Sequence, residues 1–209
     1  PGAPKGDINQ LWKLLAAEVR GDEVVYQEFN PYPRAGTGPE AITPLWVFVD
    51  AGEPGAEQPF NPDSPIVSGL RQLLFFFPGA VEQSDGSKLE FTPLATTGNL
   101  TGYVPQSELR MAQGSMGLLL QKTGVPYIMA ARVSGVADDR EQLSLDELDK
   151  ESDDAEDKAD AAEKKEAVPL NAVIVSDIDC LSDVFFAIRE MGEEEDAIVQ
   201  WNFQNVAFV

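Results

Sequence analysis

Strand-like and helix-like segments alternate along the 209 residues without internal repeats, and that order predicts an α/β fold: a layered domain with a mainly parallel central sheet flanked by helices. Three observations carry the prediction. Residues 45–49 form a short, almost wholly apolar run of the kind buried on both faces of a sheet, and residues 172–177 repeat the pattern. Apolar residues at helical spacing lie between and after these runs, at Ile66, Leu70, Leu73 and Leu74 and again from Leu181 to Met191. With 43% hydrophobic residues, the chain can bury a core as a single domain over residues 1–209.

The elements follow in order. Ile8, Leu11, Trp12, Leu15 and Val19 predict a helix over 8–20, with Asp7 and Gln10 placed as a cap and its reciprocal partner and Gly21 as a stop. Residues 24–29 are rich in strand formers and end at the Asn30-Pro31-Tyr32-Pro33 turn signal. Prolines and glycines then make 31–44 a long irregular connection, up to the strand at 45–49. Ser64-Pro65 resembles a cap followed by proline at the first helical position, so a short helix is predicted from there toward Pro78-Gly79.

Residues 89–94 and 127–133 read as strands. Between them, Leu109, Ala112, Met116, Leu119 and Leu120 fit a helix that Gly114 and Gly117 weaken, while 118–133 fits a hairpin around Thr123-Gly124 equally well. The strand at 172–177 and the helix at 181–191 complete the alternation, with a last helix over 197–209.

Charge narrows the function. The net charge of −21, from 15 Lys and Arg against 36 Asp and Glu, repels phosphate backbones and anionic headgroups, which argues against nucleic-acid binding and membrane-surface adsorption. Much of the excess sits in one place: 138–166 holds 14 acidic residues against five basic ones and no aromatics. Such a stretch buries too little apolar area to offset its ordering entropy, so an acidic flexible insertion is expected at about 138–167. No Asp-x-Asp-x-Asp-Gly spacing marks it as a calcium loop. The chain opens at Pro1 and stops within an apolar run, as a fragment of a longer protein would.

There is no histidine, which removes imidazole as base, ligand or pH switch. In a parallel sheet, Asp50 after one strand and Asp177 with Asp179 after another would share one edge, where carboxylates can hold Mg²⁺ or another hard cation. A divalent-metal-dependent hydrolase using those three residues is therefore the alternative reading. Aspartates just past strands more often cap helices and close turns, and no catalytic, cofactor-binding or metal role is assigned to them. Cys180 also precedes a helix, but it lacks a base, and Asp179 and Asp183 would oppose thiolate formation, so a buried structural role is expected. Gly98-Asn99-Leu100-Thr101-Gly102 lacks the Gly-Lys-Ser/Thr ending of a phosphate loop. Of Phe75, Phe76 and Phe77, no single strand or helix can turn all three toward one core.

Five segments in order carry a family resemblance: Asn61-Pro-Asp-Ser-Pro-Ile-Val-Ser-Gly-Leu70, Phe91-Thr-Pro-Leu-Ala-Thr-Thr97, Ile128-Met-Ala-Ala-Arg-Val-Ser-Gly135, Val173-Ile-Val-Ser-Asp-Ile-Asp179 and Asn202-Phe-Gln-Asn-Val-Ala-Phe208. Together they frame about residue 24 to 209. They resemble the extracytoplasmic domain of gliding-motility-type ABC-transporter auxiliary proteins, the GldG-like family. The resemblance implies a flavodoxin-like or glutamine-amidotransferase-like α/β layer without the amidotransferase catalytic residues, similar also to a domain of intraflagellar transport proteins. It implies a noncatalytic binding or scaffold domain, held by membrane segments outside this chain and working beside an ABC permease and ATPase on the periplasmic side of the cytoplasmic membrane. The acidic insertion and the loop at 30–33 have no counterpart in that pattern.

Overall fold

A computed structural model describes residues 8–33, 43–111, 118–136, 169–192 and 200–208. The acidic insertion expected at 138–167 lies outside the described residues, as do Asp7, most of the 31–44 connection, residues 112–117 of the ambiguous segment, and 197–199 with residue 209 of the last predicted helix.

The elements in chain order are α1 (Ile8–Leu15), β1 (Ala17–Val19), β2 (Glu23–Gln27), β3 (Trp46–Asp50), β4 (Gln72–Phe76), β5 (Val81–Gln83), β6 (Glu90–Thr96), β7 (Thr101–Pro105), α2 (Gln106–Met111), β8 (Gln121–Lys122), β9 (Ile128–Val136), β10 (Pro169–Val175), a 3₁₀ turn (Ile178–Leu181), α3 (Asp183–Gly192) and α4 (Asn205–Phe208). The strands form small sheets in the orders β1-β5, β10-β9-β6, β2-β7-β8 and β3-β4. The pairs β2–β7, β7–β8 and β3–β4 are antiparallel. This overturns the predicted fold class: the molecule is built mostly of small antiparallel sheets with few helices, and it is not a parallel, flavodoxin-like α/β layer.

The cause of the correction is local. The predicted helix after Ser64 is a series of turns, with Ser64 N–H donating to Asn61 C=O, Val67 to Ser64 and Leu70 to Val67. Asn61 starts them, its side chain accepting from Asp63 N–H at 3.0 Å in the manner of an Asx turn. The apolar run beyond is the strand β4, which pairs with β3 from Trp46↔Phe76 to Asp50↔Gln72. Without a crossover helix there is nothing to return the chain parallel to β3.

The other elements are mixed in their agreement. α1 stops at Leu15, where Ala16 takes a left-handed φ of 45°, and the chain goes on as β1 rather than as helix to residue 20. The strands predicted at 24–29, 45–49, 89–94 and 127–133 appear as β2, β3, β6 and β9. β10 replaces the doubly buried strand expected at 172–177: it alternates between exposed and half-buried residues, with only Ile174 fully buried. Around Thr123-Gly124 there is no β8–β9 hairpin, because β8 pairs with β7 and both amides donate to Thr101 C=O. α3 matches the helix predicted over 181–191 closely, whereas of the final helix only α4 is helical among the described residues.

The chain clusters into two compact units. The first comprises the described parts of 1–18, 83–92 and 132–173. In it Leu14 and Leu15 are buried, Gln83 Nε2 donates to Leu89 C=O at 3.1 Å, and Arg132 Nε donates to Asn171 Oδ1 at 2.8 Å.

The second unit comprises the described parts of 19–82, 93–131 and 174–209, and hydrophobic cores lie within it. Val25, Val47, Val49, Leu73, Phe75, Leu94, Met129 and Cys180 pack together in one. Tyr32, Phe48, Leu74, Phe185, Ile188 and Phe203 form another. Alternation along β3 explains the split, since Val47 and Val49 face one core and Phe48 the other. The three phenylalanines divide likewise: Phe75 is buried, Phe76 half-buried, and Phe77 is 52% exposed, with a left-handed φ of 49° that ends the strand. Among the described residues no helix is long and apolar enough to cross a membrane.

Candidate functional site

The site is built on the β3–β4 pair of the second unit. Both strands are edges of a two-stranded sheet, and side chains fill the places of missing neighbours. On the outer edge of β4, Leu74 N–H donates to Asn205 Oδ1 at 3.0 Å, and Asn205 Nδ2 donates back to Leu74 C=O at 2.7 Å. Next to it, Gln204 N–H donates to Gln72 C=O, and Phe76 N–H donates to Asp177 Oδ2 at 2.7 Å. On the outer edge of β3, Phe48 N–H donates to Gln27 Oε1 at 2.7 Å. Buried backbone groups require such partners, and an unsatisfied edge recruits foreign strands.

This accounts for the predicted aspartates. Asp177 is buried, holds Phe76 and also accepts from Asp179 N–H at 2.8 Å as the cap of the 3₁₀ turn. Burial raises its carboxyl above the ordinary value, the bonds from Phe76 and Asp179 oppose the rise, and the charge of Asp179 adds to it. Asp50 accepts from Gly52 N–H at 2.6 Å and from Gln72 Nε2, while Tyr32 Oη donates to Gln72 Oε1 and accepts from Asn202 N–H at 2.7 Å. Asp179 is exposed.

The antiparallel register puts Asp50 opposite Gln72, while Asp177 holds Phe76 at the other end of β4. Those ends are four residue steps of strand apart, roughly 13 Å. The structure therefore does not bring Asp50 together with Asp177 and Asp179, and among the described residues no three metal-ligating side chains form a group. Cys180 is buried in the core, its thiol pushed up to about 11 by desolvation and then by the charges of Asp177 and Asp179.

Sequence reasoning missed Glu53. It follows β3 in a turn closed by its own N–H to Asp50 C=O, and it is only 4% exposed. Its Oε2 accepts from Gln27 Nε2 and Gly98 N–H, both at 3.0 Å, while Oε1 has no hydrogen-bond partner among the described residues. A Cβ at residue 98 would collide with this carboxyl, which is why glycine stands there. At Gly102 a Cβ would collide with Gln121 C=O and the Tyr26 ring, so both glycines of the 98–102 segment serve packing.

Beyond the carboxyl end of β3 the chain opens a cleft of about 440 Å³ lined by Ala51 and by residues 57–62 and 67–70. Phe60, Val67 and Leu70 supply apolar walls that back onto the core. Glu57, Gln58 and Ser68 stand exposed along it. The volume is in the range of ligand sites, and the apolar walls with a few polar groups suit retention of a bound group. The outer wall is itself strand-like: Phe60 bridges Ala95, with Asn61 N–H donating to Leu94 C=O at 3.1 Å and Thr96 N–H to Pro59 C=O at 2.8 Å.

The family model described as ABC-type uncharacterized transport system matches residues 2–209. The chain belongs to this family of ABC-transporter auxiliary proteins. No curated protein and no solved structure matches it.

Proposed function

We propose that this ABC transport-associated chain is a noncatalytic binding domain of the gliding-motility type, which holds a transporter component or an exported substrate in the cleft beyond β3. The observation that carries the reading is the division of labour around that strand. Asp50 and Asp177 are committed to backbone and amide partners, whereas the neighbouring cleft has apolar walls whose exposed polar groups hold no paired carboxylates. Such a surface retains a ligand by burial and a few directional bonds. Membership of an ABC transport family supports a permease or ATPase subunit of the same system as partner, and the resemblance described above supports the extracytoplasmic side of the cytoplasmic membrane.

The test is a photo-crosslinking amino acid at Gln58 or Ser68 in cells carrying the whole transport system, with Glu28 as a control position outside the cleft. The expected adduct is a subunit or cargo of that system, formed from the cleft positions and not from Glu28. Adducts from Glu28 alone, or none from the cleft, would contradict the reading.

A further inference from the structure

The outer wall of the cleft holds an unused strand edge. In an antiparallel bridge flanked by the bonds Asn61 N–H to Leu94 C=O and Thr96 N–H to Pro59 C=O, the central residue Phe60 is in the non-hydrogen-bonded position. Its own N–H and C=O therefore point away from β6, and neither has a hydrogen-bond partner among the described residues. Outward-facing positions recur every second residue, so the neighbours of Phe60 on this edge are Gln58 and Pro62; Pro62 has no N–H group and ends the row of donors on its side, leaving the Phe60 donor and acceptor beside an apolar cleft. The outer edge of β4 shows how the same unit treats an edge it needs closed, with Asn205 supplying both a donor and an acceptor to Leu74.

Resting on the binding role proposed above, we propose that the occupant of the cleft is an extended, basic peptide segment of a partner protein, which adds as a short strand to Phe60 and seats an apolar side chain against Val67 and Leu70. Three features select this occupant. The paired main-chain groups of Phe60 match the donor and acceptor of one extended residue, as in recognition by strand addition. The apolar walls take the side chain of a neighbouring residue, because alternate side chains of a strand point to opposite faces. Charge sets the sign: among the described residues that line the cleft Glu57 is the one that is charged, and the sequence of the second unit holds 18 Asp and Glu against six Lys and Arg, so lysine or arginine in the segment is favoured and acidic segments are repelled.

The probe is a synthetic heptapeptide alternating lysine and valine, compared with its glutamate and valine counterpart and with a lysine and valine version carrying an N-methyl group on the central residue. Binding is followed on the full chain by NMR amide exchange. The lysine peptide is expected to slow exchange of the Phe60 amide about tenfold or more and to shift the Val67 and Leu70 resonances. The glutamate and N-methyl peptides are expected to do neither, and Glu57→Lys, an exposed change, to weaken the lysine peptide about fivefold or more. An unchanged Phe60 amide at saturating lysine peptide, or equal binding of the N-methyl peptide, would overturn the inference. If the crosslinker at Gln58 still captures a transporter component while the peptide leaves Phe60 unaffected, the strand-addition inference falls and the binding role stands.

Discussion

Two strand edges in the second unit meet different ends. Along β4, every outward backbone group named above is taken by a side chain or main-chain group from the 177–205 region: Gln72 by Gln204, Leu74 by Asn205, Phe76 by Asp177. Along Pro59–Asn61, one side is paired to β6, while on the other side the donor and acceptor of Phe60 have no partner among the described residues and lie next to an apolar cleft. The difference teaches where to look for function in a chain without histidine. Acidic and amide groups at strand ends need not be catalytic; here they substitute for strands. What the fold leaves unsatisfied is the better pointer to a partner.

Breaking the sealed edge gives the largest expected effect. Asn205→Ala leaves the buried N–H and C=O of Leu74 without partners and should destabilise the protein by about 2–4 kcal/mol, measured by denaturant titration. A fall under half a kcal/mol would mean that this edge was not held by Asn205 at all. Next comes Gly98→Ala, which drives a methyl group into the Glu53 carboxyl and should cost about 1–3 kcal/mol. If the collision is the cause, Glu53→Ala in the same chain recovers part of that loss, so the two changes are non-additive in a double-mutant cycle.

A smaller effect is pH-dependent. Burial holds the Glu53 carboxyl above its ordinary value, the bonds from Gly98 and Gln27 oppose this, and the charge of Asp50 adds to the rise. A carboxyl that binds its proton more tightly when folded favours folding at pH below its unfolded value, and that contribution is lost as pH rises through the folded value. Stability of the wild type relative to the non-titrating Glu53→Gln should therefore fall as pH rises from the ordinary carboxylate value, about 4, through the raised folded value. A difference that stays level or grows with pH would contradict the assignment. Smallest of all, Glu57→Ala on the open side should change stability by no more than about 0.5 kcal/mol, because its side chain is exposed on the rim of the cleft.

Much of the fold was legible locally and little of it globally. β3 could be read because Val47, Phe48 and Val49 are apolar without interruption, and the buried positions on both its faces follow from that. β4 could not, because Leu70, Leu73 and Leu74 happen to repeat at helical spacing, and the residues that decide the matter are its partners on β3. The connection of residues 51–71 is long enough for a crossover helix, so its length did not exclude a parallel pair. That single misreading turned an antiparallel pair into a parallel layer and put Asp50 and Asp177 on one edge. Glu53 and Phe60 carry no signal of their own in the sequence: one is defined by its contact with Gly98, and the other by the direction its N–H takes from a bridge to Ala95. Neither lies in a segment that carries the family resemblance, but four of those five segments border the site, with Asn61 to Leu70 at the cleft, Phe91 to Thr97 paired to residues 59–61, and Asp177 and Asn205 in the other two.

In this reading one edge is closed by the protein itself and the other is left for a partner. Residue-resolved amide hydrogen exchange on the free protein tests it most directly. Leu74 and Phe76 amides should exchange only through global or near-global unfolding, while the Phe60 amide should exchange within about tenfold of an unstructured peptide. Phe60 protected to the same degree as Leu74 would contradict the account.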